Sequence, residues 1–115
     1  IARGYLDAPT RAALEKLIDI KTRMAASEAR LQAINNEATE IAADQARLRE
    51  NIKALSSTAE ARQLITRYVA KADTQESRLE QLEKDRRAAL EEYSRLQAEL
   101  NAAIRGFSLD RQLNQ

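Results

Sequence analysis

Apolar side chains recur at alternating steps of four and three through the first half of this chain: Ala13, Leu17, Ile20, Met24, Ser27, Leu31, Ile34, Ala38, Ile41, Gln45, Leu48, Ile52 and Leu55. Only Ser27 and Gln45 in that run are polar. Such a period, averaging 3.5 residues, is a heptad seam, which a helix can satisfy only by burying one narrow stripe against a neighbour. A second run obeys the same rule: Ala61, Ile65, Tyr68, Ala72, Gln75, Leu79, Leu82, Arg86, Ala89, Tyr93, Leu96, Leu100, Ala103 and Phe107. Gln75 and Arg86 are its polar members, and a polar break at Ser56, Ser57 and Thr58 separates it from the first. The pattern predicts an all-α fold, an antiparallel two-helix coiled-coil hairpin, with dimerisation into a four-helix assembly as a further step.

Composition narrows the function classes. The 115 residues are 43% hydrophobic, 32% charged and 3% aromatic, a balance typical of coiled coils rather than of layered cores or disorder. Lys plus Arg total 19 against 18 Asp plus Glu, so a net charge of +1 gives no general attraction to nucleic acid or anionic lipid. No cysteine is present, which leaves the redox compartment and the localisation open. No run approaches the ~20 apolar residues of a membrane span, so no membrane insertion is expected. The start at Ile1 suggests a fragment of a larger protein.

Residues 1–8 lack helical period and read as a lead-in from a missing body. Asp7 offers a capping carboxylate and Pro9 suits the first turn, where its absent N–H costs nothing, so a first helix is predicted over 9–54. At ~1.5 Å per residue it would be roughly 70 Å long. A turn is predicted at 55–58, with Ser57 and Glu60 forming a capping box for a second helix over 58–105. Gly106 is placed to end that helix as its left-handed residue, leaving 106–115 as a C-terminal tail in which Phe107 and Leu109 are apolar.

Pairing the seams about the turn gives partner numbers that sum to 113. Ala38 then faces Gln75, Ser27 faces Arg86 and Gln45 faces Tyr68, so each polar intruder meets a small residue or a hydroxyl. Ser27, Ala38, Gln45, Gln75 and Arg86 act as register pins in this reading. A sum of 106 confronts Leu31 with Gln75 and is costly. A sum of 120 is a closer contest: it matches Gln45 with Gln75 but sets Arg86 against Ile34 and moves the midpoint to Glu60. The position of the polar break favours 113.

Catalysis finds no purchase in the residue types. The chain holds neither His nor Cys, two paired helices form no substrate-sized pocket, and no zinc spacing or phosphate loop can be drawn, so no enzyme activity, metal or cofactor is predicted. The acidic groups Glu76, Glu80 and Glu83, and Glu91 and Glu92, alternate with Arg and Lys as on a solvated face. Two regions exceed the needs of a plain hairpin. At the open end Leu14, Ile18, Leu90, Ile104 and Phe107, with Tyr5, Leu6 and Leu109 adjoining, widen the apolar stripe and form a candidate base or dimer contact. At the closed end Arg47, Arg49, Lys53, Arg62 and Arg67 form a candidate tip contact for an acidic partner.

The block Asp44-Gln-Ala-Arg-Leu-Arg-Glu-Asn-Ile-Lys-Ala-Leu55, with Arg67-Tyr-Val-Ala-Lys71 and Gln75-Glu-Ser-Arg-Leu-Glu-Gln-Leu82 after the turn, resembles the C-terminal coiled coil of a family of uncharacterised bacterial proteins. In that family a β-rich body of unknown function precedes the hairpin. The resemblance implies a segment of a larger, exported or periplasmic protein whose lead-in, with Tyr5, joins stalk to body, and it brings no catalytic residues. The expected function is a non-catalytic structural stalk that contacts protein: the missing body or a second copy. A helical arm that binds RNA is the alternative. It is weakened by alternating charges, because such an arm needs a basic stripe, and by tip aromatics limited to Tyr68.

Overall fold

The computed structural model describes residues 7–55 and 58–113, with side chains as far as residue 108. Two helices, α1 (Ala8–Ala54) and α2 (Ala59–Leu113), pack antiparallel as a hairpin. There is no strand among the described residues. Ile1–Leu6 of the predicted lead-in, the expected cap Ser57 and the Leu109 side chain lie outside them.

Each helix start has a chemical cause. Asp7 Oδ1 accepts the Thr10 N–H at 2.8 Å and its carbonyl accepts the Arg11 N–H at 2.9 Å, satisfying donors that no preceding turn can reach. At the second start the cap is Thr58. Its Oγ1 accepts the Ala61 N–H at 3.1 Å and its carbonyl the Arg62 N–H at 2.9 Å. Glu60 thus lies inside the first turn, near the positive end of the helix dipole. α1 closes on a tightened turn, with the Leu55 N–H donating to the Ile52 carbonyl at 3.2 Å.

The C-terminal boundary differs from expectation. α2 does not stop at Arg105 but continues through Gly106 to Leu113. A Cβ on Gly106 would meet nothing within 4 Å, and its backbone avoids positive φ. One glycine weakens a helix by only about 1 kcal/mol, and Phe107, the next seam residue, is half-buried. Continuing the helix keeps that ring in the seam.

The hairpin divides into two compact units, an open-end unit of Ile1–Arg30 and Ala89–Gln115 and a closed-end unit of Leu31–Ala88. In the open-end unit Ile20, Met24, Leu96 and Leu100 form a buried cluster against which Leu17, Tyr93 and Ala103 pack. In the closed-end unit Ile34, Leu48, Ala61 and Leu82 are buried. Every seam position is buried or half-buried except Arg86.

The register corrects the expected sum of 113. In the closed-end unit Gln75 Nε2 donates to Asp44 Oδ2 at 2.5 Å and Gln45 Nε2 donates to Glu76 Oε1 at 2.9 Å. These pairs bracket a sum of 120. The open-end cluster fits the same sum, which matches Ile20 with Leu100, Met24 with Leu96 and Leu17 with Ala103. Ala38 therefore lies in the layer of Leu82 rather than of Gln75, and Ser27 in that of Tyr93 rather than of Arg86. Two cross-helix ion pairs accompany this register, Glu37 with Arg78 and Asp44 with Lys71. The turn argument assumed a symmetric reversal. A seven-residue offset is only ~10 Å of helical rise, a distance that four connecting residues can cover.

Candidate functional site: a polar clamp and two unlike flanks

In the closed-end unit, neighbours Asp44 and Gln45 on α1 meet neighbours Gln75 and Glu76 on α2. Each glutamine amide donates to the carboxylate beside the other glutamine, giving a reciprocal clamp across the seam. Asp44 also receives Arg47 Nε at 2.9 Å and stands 3.4 Å from Lys71 Nζ. The Arg47 guanidinium, then the Gln75 amide, hold its carboxyl below the usual range. Gln75 Oε1 is buried and has no hydrogen-bond partner among the described residues. A buried acceptor left unpaired costs its own desolvation. Gln45 and Gln75 lie in one layer, not opposite Tyr68 and Ala38 as the sum of 113 predicted.

Arg86 behaves differently from the expected buried pin. It is exposed, and its guanidinium binds Glu83 through Nε at 2.8 Å and Nη2 at 2.6 Å. Its register partner Ile34 is 9% exposed. A long stem that leaves its charged head in water resolves the Arg86 and Ile34 conflict that counted against 120. Arg86 and, secondarily, Arg87 at 3.2 Å pull the Glu83 carboxyl down to about 2.

In the closed-end unit the seam is flanked by an ion pair. Glu37 takes Arg78 in a two-pronged pair at 2.5 and 2.9 Å, which lowers the carboxyl and raises the guanidinium. In the open-end unit, taken by itself, one flank carries Lys16, Arg23 and Glu99, which line an open groove of about 460 Å³ with Ala13, Gly106 and Phe107. Arg23 pairs with Asp19 at 2.8 Å, and Arg95 with Glu92. These are one-helix pairs on a wet surface, worth a few tenths of a kcal/mol each.

The other flank is apolar and nearly neutral in the open-end unit. Ile18 is 65% exposed, Ile104 45% and Leu90 43%. Ile18 and Ile104 line an open groove of about 450 Å³ with Leu17, Lys21, Thr22, Ala25 and Leu100. A second groove beside it is walled by Glu28, Tyr93 and Gln97. The Glu28 carboxylate, accepting the Tyr93 hydroxyl proton, raises the phenol above its ordinary value. Of the candidate base contacts, Ile18, Leu90 and Ile104 face solvent, while Leu14 and Phe107 are half-buried.

The candidate tip residues differ in their partners. Arg47 is engaged by Asp44, and Lys53 by Glu50 at 3.5 Å. Arg49 lies along an open groove with Leu48, Ile52, Val69 and Asp73. Arg49, Arg62 and Arg67 are exposed and make no ion pair with another described residue. Val69, 53% exposed, escaped the sequence reading. It follows the seam residue Tyr68 as Leu90 follows Ala89 and Ile104 follows Ala103, and that shared offset was the available signal.

Among the described residues, no group of three acidic, His or Cys side chains is arranged to hold a metal ion, and no helix is long and apolar enough to cross a membrane. No protein-family model, curated protein or solved structure matches the chain.

Proposed function

We propose that this chain is a non-catalytic coiled-coil stalk of a larger bacterial protein, and that it works by protein contact through the apolar flank of its open-end unit. The observation that supports this most is the inequality of the two flanks. Ile18, Leu90 and Ile104 stay in water on one side while ionic groups occupy the other. A hairpin that needed only to bury its own seam would gain nothing from exposed isoleucines, and clustered surface hydrophobes mark interaction sites. The grooves along the helices are open troughs rather than enclosed cavities, which suits a side-on protein partner better than a small substrate.

Site-directed photo-crosslinking in cells tests the reading. A photoreactive side chain at Ile18 or Ile104 yields a discrete protein adduct, whereas one at Arg95 or Glu99 on the charged flank does not. Absence of adducts from both apolar positions, with the chain expressed and helical, removes the proposal.

A further inference from the structure

We draw no further inference here: the strongest candidate, the open groove of the closed-end unit in which the exposed Val69 lies with Leu48, Ile52 and Ala72, is lined by Arg49 as well as by Asp73 and Glu76, so its charge selects no partner and nothing in the structure shows what covers it.

Discussion

Arg86 shows how one side chain can mislead a pattern and still fit the fold. Its place in the heptad series suggested a buried cation, but the stem is long enough to deliver the guanidinium to Glu83 outside the seam. The ion pair should be visible in the pH dependence of stability. Glu83 is held at about 2 when folded, against an ordinary 4.5, so its contribution is fully present above pH 4.5 and is lost as pH falls towards 2. The melting temperature of Glu83→Gln should change less between pH 5 and pH 2 than that of the parent; an unchanged slope would count against the pair. Gly106 offers the opposite experiment. It sits inside a helix, with open space where a Cβ would go. Gly106→Ala should raise stability by about 0.5–1 kcal/mol in urea titration, whereas a loss would show that the helix does end there.

Registers belong to elements, and here the two helices are keyed by flank charges as well as by the seam. Cysteine pairs read the key directly. Ala38→Cys with Leu82→Cys shares a layer and should close a disulfide readily, whereas Ala38→Cys with Gln75→Cys, the pair favoured by a symmetric turn, lies about 10 Å out of step along the axis and should not. Mass spectrometry of the oxidised variants decides between them. Helix ends give a second check. Among the described residues Thr58 supplies the side-chain cap of α2, so Thr58→Ala should lower stability by about 1 kcal/mol by thermal melting. A null effect would mean that another group takes over the orphan N–H.

Across the whole molecule, the seam residues were readable because a 3.5-residue period has few structural solutions, and the two helices and their antiparallel pairing follow from the break at Ser56 to Thr58. The register was not readable from the seam, because a slip of one heptad puts apolar on apolar almost as well. It shows instead in polar residues in and beside the stripe: Gln75 with Asp44, Gln45 with Glu76, Glu37 with Arg78 and Asp44 with Lys71. The exposed set was half readable, since Ile18, Leu90 and Ile104 stood out by hydropathy while Val69 needed its heptad offset to be noticed. Stability should follow the same division. Leu96→Ala, at 1% exposure, should cost about 2–5 kcal/mol, and Val69→Ala less than about 0.5 kcal/mol; comparable losses in chemical denaturation would contradict the burial pattern. The reciprocal amide and carboxylate clamp also limits what kind of machine the hairpin can be. Shifting one helix by a heptad would strip Asp44 of Gln75 and Lys71 and cut Gln45 from Glu76 in a single step. A helix shift of one heptad would therefore have to break both arms of the clamp together.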